Sequence, residues 1–154
     1  MRLTLAVVGK PRNAALAAAI HEYETRAARY WPLDVHEVKE ERASSARDSR
    51  MVRQREGERL VERTGSAPIV ACDPGGKSFT SEKFAEWLSD ERDHGRDVAF
   101  VIGGAFGLSE ELLKRSRSRM SLAPWTLSHE LARLVLAEQL YRAGTILRGE
   151  PYHK

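Results

Sequence analysis

A chain of 154 residues, 42% hydrophobic and 31% charged, carries enough material for one hydrophobic core, and a single domain spanning residues 1–154 is expected. Its apolar runs fall far short of the roughly 20 residues that cross a bilayer, and its one cysteine, Cys72, excludes an internal disulfide and fits a reducing, cytoplasmic setting. The net charge is +3, and no second cysteine or spaced histidine pair accompanies Cys72, so neither a metal site nor a membrane partner is expected.

The opening "RLTLAVVG" alternates as a first strand, without the small-residue cleavage site of a signal peptide. "NAALAAAIHEYETRAARY" follows as an alanine-rich helix that Trp31-Pro32 breaks, and "LDVHEV" alternates as a second strand. Lys39 to Ser49 is polar and aperiodic and reads as a connector. The charged helix in "SARDSRMVRQREGERLVERTG" ends at Gly65, a natural C-cap. "PIVACD" is a short strand and "PGGK" a turn. Thr80 or Ser81 caps "EKFAEWLSDERDHG", and "DVAFVIG" is the most apolar strand. Ser109 caps the short helix "EELLKRS", "RMSLAP" is the last strand, and Ser128 caps "HELARLVLAEQLYRAGTIL". Strands alternating with helices give an α/β fold, a three-layer α/β/α sandwich around a mostly parallel sheet of five or six strands.

In such sheets ligands gather at the carboxyl ends of the strands. Three glycines, Gly103, Gly104 and Gly107, stand there in "VIGGAFGLS", with G-G-x-x-G spacing. That is neither a dinucleotide fingerprint nor a P-loop, and it follows the fourth strand where a dinucleotide site would follow the first. On spacing alone, ligand binding and an unusual turn both remain open. Charge adds a second clue. Residues 112–154 hold eight Lys or Arg against three Glu, for +5, while the rest of the chain sums to −2. A basic terminal third suits a polyanionic partner, and it equally describes a solvated helix face.

"FVIGGAFGLSEELL", "MSLAPWTLSHELARLVLAEQLYRA" and the terminal "RGEPYHK" together resemble the SPOUT-class methyltransferases. More closely, the chain is similar, nearly end to end, to the RlmH family, which methylates N3 of a pseudouridine in helix 69 of 23S rRNA. The resemblance implies a C-terminal deep trefoil knot, a feature that chains almost never adopt. It implies S-adenosyl-L-methionine as cofactor, bound by Cys72, Gly103, Leu122, Ala123, Pro124, Trp125, Thr126 and Leu127. It also implies a homodimer whose sites are each completed by the other subunit, with large-subunit rRNA in the assembled ribosome as partner and no DNA. The last helix agrees with a dimer in being apolar on more than one face, through Leu131, Leu134, Val135, Leu136, Leu140, Ile146 and Leu147.

N3 of pseudouridine is a poor nucleophile until its proton leaves, so a base or a charge-stabilising cation is needed. His153, Tyr152, Arg142 and His129 are the expected catalytic residues, and Arg133 and Lys154 the expected substrate-binding cations. A histidine such as His153 is a candidate to take the proton, and Tyr152 can stack or hydrogen-bond. In one departure from the family's Pro-His, Ser128 precedes His129; serine is a good N-cap but lacks proline's rigidity. A tRNA-directed SPOUT enzyme and a non-catalytic ribosome-binding module are the competing readings.

Overall fold

In the computed structural model, which describes residues 1–154, five strands alternate with five α-helices. They run β1 (Leu3–Val8), α1 (Ala14–Ala27), β2 (Leu33–Val38), α2 (Ser49–Thr64), β3 (Ile69–Ser78), α3 (Ser81–Asp93), β4 (Val98–Ile102), α4 (Glu110–Arg115), β5 (Ser118–Ser121) and α5 (His129–Leu147). The helix starts follow local chemistry. The side chains of Asn13, Thr80, Ser109 and Ser128 each accept the backbone N–H three residues on, at 3.0, 3.2, 3.2 and 3.3 Å. Ser128 therefore starts α5 from an extended conformation without the family's proline. Gly65, at φ +57°, ends α2.

The strand order is β2-β1-β4-β3-β5 and every pairing is parallel. Parallel sheets need cover on both faces, and the strands show it: β1 and β4 are buried along their whole lengths. Alternate residues divide the core. Leu3, Leu5, Val7, Val70, Phe100 and Ile102 join the larger cluster, with Trp31, Phe84, Leu88, Leu136 and Leu140 from the α1, α3 and α5 side. Ala6, Val8, Ala71 and Val101 face Leu60 of α2 and Leu112 of α4. Phe100 is fully buried and meets Phe84 and Trp87 edge-on with centroids 6.1 Å away. Trp31 is equally enclosed, and its indole N–H donates to the Leu140 carbonyl at 2.8 Å, tying the end of α1 to α5.

One local expectation is corrected. "PGGK" does not end the strand. β3 continues to Ser78, and both Cys72 and Lys77 pair with Met120 across a bulge at residues 73–76. A Cβ on Gly76 would lie 2.5 Å from the Met120 nitrogen, so only glycine lets the β5 backbone pass so close.

Candidate active site

The bulge in β3, the turn after β4, the loop after β5 and the first turn of α5 converge at the carboxyl end of the sheet. They line a cleft with Cys72, Asp73 and Pro74, with Ile102 to Ala105 and Gly107, with Leu122, Ala123 and Trp125 to Leu127, and with His129 and Ala132. Of the expected cofactor residues, Cys72, Gly103, Leu122, Ala123, Trp125, Thr126 and Leu127 face this cleft; Pro124 does not line it and is exposed. Sequence reasoning placed Asp73 at the end of a strand and Pro74 at the start of a turn, and singled out neither as a site residue. Burial pushes the Cys72 thiol up to about 12, which keeps it neutral and makes it a wall, not a nucleophile.

The glycine turn owes its shape to close backbone approach. Gly107 sits at φ +79°, and its N–H donates to the Gly104 carbonyl at 3.0 Å. A Cβ on Gly103 would lie 2.6 Å from the Gly107 carbonyl carbon. One on Gly104 would meet the Glu56 carboxylate at 2.8 Å. The walls are therefore main chain and small apolar side chains, with no cation at the glycines to neutralise a phosphate. Such a surface suits a flat, uncharged ring system with edge hydrogen bonds. An adenosyl group fits that description, and the cavity volume of about 130 Å³ means that it must extend into the open mouth beside the exposed Trp125.

The other expected catalytic residues assemble elsewhere. Arg142 lies thirteen residues beyond His129 on α5, about 20 Å along the axis. There the chain end docks. Arg142 Nε donates to Glu138 Oε1 at 3.0 Å, and its guanidinium covers the Tyr152 ring with 4.7 Å to the centroid. Tyr152 donates its hydroxyl to Glu138 at 3.0 Å and lies 3.3 Å from the Tyr23 hydroxyl. Burial and these hydrogen bonds raise the Tyr152 phenol, so it stays a donor. His153 bridges two charges, with Nδ1 3.2 Å from Arg142 Nη1 and Nε2 2.8 Å from Glu82 Oε1. Glu82's own backbone N–H, His153 and the Thr80 hydroxyl hold its carboxyl down to about 2.

Arginine has no acceptor, so Nδ1 must take the hydrogen bond and Nε2 must carry the proton given to Glu82. The imidazole is thereby fixed as its neutral Nε2–H tautomer. Glu138, Glu82 and Tyr23, which sequence reasoning did not single out, hold this arrangement. Glu138 was legible as the i−4 partner of Arg142; Glu82 and Tyr23 come from α3 and α1 with no local signal.

Arg133 is placed unlike a substrate-binding cation. Its side chain is 7% exposed and donates to Glu24 at 2.7 Å and to Glu37 at 2.8 Å, joining α5 to α1 and β2. Lys154 is exposed at the chain end.

A parallel sheet whose late loops, not its first, build the ligand cleft defines an α/β protein of the SPOUT methyltransferase class. The family model described as "Predicted SPOUT methyltransferase" matches residues 1–153, and the chain belongs to this family. It is thus a methyltransferase, and S-adenosylmethionine is the methyl donor of its family. The chain is 60% identical to the "Ribosomal RNA large subunit methyltransferase H" of Gemmatimonas aurantiaca, and 46% identical to the protein of that name from an Anaeromyxobacter species. Both alignments cover the whole of each chain. The fold is similar to that of "a probable methylase family protein" from Haemophilus influenzae, with a TM-score of 0.57 at 14% identity over 99% of this chain and 70% of that one. No helix is long and apolar enough to cross a membrane.

Proposed function

We propose that this chain methylates large-subunit ribosomal RNA at N3 of a pseudouridine in helix 69, in the cytoplasm, as a homodimer. Each active site combines the cleft of one subunit with the C-terminal tail of its partner. The observation that carries the reading is the distance of about 20 Å along α5 between His129 at the cleft and Arg142 in the tail cluster. One chain cannot apply both to a single base; two chains related by a two-fold axis can. Leu131, Val135, Glu138 and Arg142 fall on one stripe of α5 at helical spacing, apolar near the cleft and polar near the tail. Leu131 is 41% exposed and Trp125, in the adjoining loop, 78% exposed. A partner helix running the opposite way would cover this apolar end and bring its own polar end to the cleft. The threaded knot that the family resemblance implies belongs to the same reading.

When bound, S-adenosylmethionine supplies an electrophilic methyl group, and methyl transfer is an in-line displacement governed by position. The glycine turn and the Leu122 to Leu127 loop hold the donor's adenosyl part by backbone and apolar contact. Tyr152, its hydroxyl proton engaged by Glu138, braces the Arg142 guanidinium that lies over its ring. Arg142 stabilises the charge that develops on the ring as N3 loses its proton. As Arg142 turns to the base, His153 Nδ1 is freed to take that proton, while Glu82 steadies the imidazolium through Nε2–H. Exposed Lys154 meets the RNA backbone.

The test is mass spectrometry of helix 69 after purified protein is incubated with unmodified ribosomes and S-adenosylmethionine. A single methyl on N3 is the expected result. Methyl incorporation into tRNA instead, or ribosome binding without cofactor binding, would replace this reading with one of its two competitors.

A further inference from the structure

At the carboxyl ends of β1 and β2 lies a second concavity, with a volume of about 760 Å³. Ala105 of the glycine turn lines both this groove and the cofactor cleft, so the two spaces share a wall. The groove's carboxylates are mostly engaged: Glu37 with Arg133 at 2.8 Å, Glu40 with Arg12, and Glu41 with Arg59 and, at 3.2 Å, Arg55. Glu56 is buried in the floor, where it accepts the Glu41 N–H at 3.0 Å and pins that segment of the rim. Three cations in the lining, Lys10, Lys39 and Arg42, are exposed and belong to no ion pair. Phe106, at the tip of the glycine turn, stands beside them 38% exposed.

The free cations come from two separate loops of the groove, Lys10 after β1 and Lys39 and Arg42 after β2. They match a backbone that runs past, and an exposed aromatic edge among them offers a base something to stack on. We propose that this groove holds the single-stranded RNA flanking the methylated base, its phosphates on Lys10, Lys39 and Arg42 and one base on Phe106. The inference rests on the ribosomal-RNA reading above and adds a substrate subsite separate from the cofactor loops and the tail. It explains how a one-domain enzyme with a small cleft grips a large substrate: the strand is held on the side of the glycine turn away from the β5 loop.

The experiment measures binding to unmodified large ribosomal subunits over a potassium chloride series, with S-adenosylmethionine affinity measured in parallel. The proteins are wild type, the Lys10→Ala/Arg42→Ala double variant, and Phe106→Ala. About tenfold weaker RNA binding is expected for either variant, and the double variant should flatten the salt slope by roughly 0.7 for each cation removed. Phe106→Ala should leave the salt slope unchanged, because stacking releases no counterions. KM for the subunit should rise while kcat and cofactor affinity hold. Unchanged RNA affinity and salt slope in both variants would overturn the proposal. Wild-type protein that binds through the groove but transfers no methyl would sink the activity reading alone; methyl transfer indifferent to both variants would sink the groove alone.

Discussion

His153 and Glu82 meet at 2.8 Å, although 71 residues separate them, and this contact fixes which imidazole nitrogen bears the proton. With Arg142 on the other ring nitrogen, His153 has its Nδ1 lone pair facing a cation that must swing away before the histidine works as a base. Glu82→Gln removes the negative partner but keeps a hydrogen-bonding group. The expected outcome is loss of the fixed Nε2–H tautomer, seen as averaging of the two ring-nitrogen shifts of His153 in ¹⁵N NMR. Methyl transfer should slow about tenfold with cofactor affinity unchanged. His153→Ala should cost more, on the order of 10²-fold or above, as removal of a general base does.

Arg133 is expected to matter for stability and not for RNA affinity. Its guanidinium is shared by Glu24 and Glu37 in a region where all three side chains are largely covered. Arg133→Ala strands two carboxylates, and breaking a buried pair of this kind costs about 3 kcal/mol. For a chain of this size that corresponds to a melting point lower by roughly 6–12 °C. Calorimetry should show this drop, while the salt dependence of RNA binding stays as in the wild type. A flattened salt slope with an unaltered melting point would assign Arg133 to the substrate instead.

Two buried glutamates pull the pH dependence of stability in opposite directions. Glu91, 1% exposed, accepts from Arg117 at 2.8 and 2.9 Å and from Arg96 at 2.9 Å. Arg117 first, and Arg96 after it, hold its carboxyl below the ordinary 4.5. The unfolded chain thus binds the proton more readily, and Glu91's contribution is complete above 4.5 and fades as pH falls through the lowered folded value. Glu91→Gln should lower stability at neutral pH and flatten the acid limb of a denaturation series.

Glu56 has the reverse sign. Burial raises its carboxyl above 4.5, and its Oε2 has no hydrogen-bond partner. Its contribution is therefore present below 4.5 and lost as pH rises through the raised value. Glu56→Gln should stabilise the protein at neutral pH by about 1 kcal/mol, with no gain at pH 4, because the amide carries no charge to desolvate. Urea midpoints at the two pH values decide it; an equal gain at both would mean that ionisation is not the cause.

Helix starts, strand identities and the late glycine turn were legible because each rests on local chemistry: a capping hydroxyl, an alternating run, a positive φ. What escaped rests on contacts between distant parts of the chain. "PGGK" has every local mark of a turn, yet pairing with β5 extends the strand through it, and Gly76 permits the close approach. Arg133 was expected to bind substrate, because the carboxylates that occupy it lie 109 and 96 positions away in the chain. The tail's catalytic candidates were named from its residue types and the family resemblance, but the side chains that hold it, Glu138, Tyr23 and Glu82, lie on three different helices. Pro124 is exposed and does not line the cleft, although Leu122, Ala123 and Trp125 to Leu127 on either side of it do, a placement that no periodic pattern encodes.

The glycine turn makes the sharpest separation between folding and ligand binding. Gly103 has ordinary backbone angles but no room, since a Cβ there would sit 2.6 Å from the Gly107 carbonyl carbon and 3.0 Å from the Leu108 nitrogen. Gly107 has open space around it but φ +79°. The two alanine variants should therefore fail differently. Gly107→Ala carries only the conformational strain, about 1–2 kcal/mol, with the turn kept in place. Cofactor affinity should then fall only a few-fold. Gly103→Ala must push the 107–108 backbone aside, which removes one wall of the cleft. Calorimetric titration should find S-adenosylmethionine binding lost for Gly103→Ala, with the circular-dichroism spectrum still that of an α/β protein. Equal affinity in the two variants would mean that the cofactor does not depend on this wall.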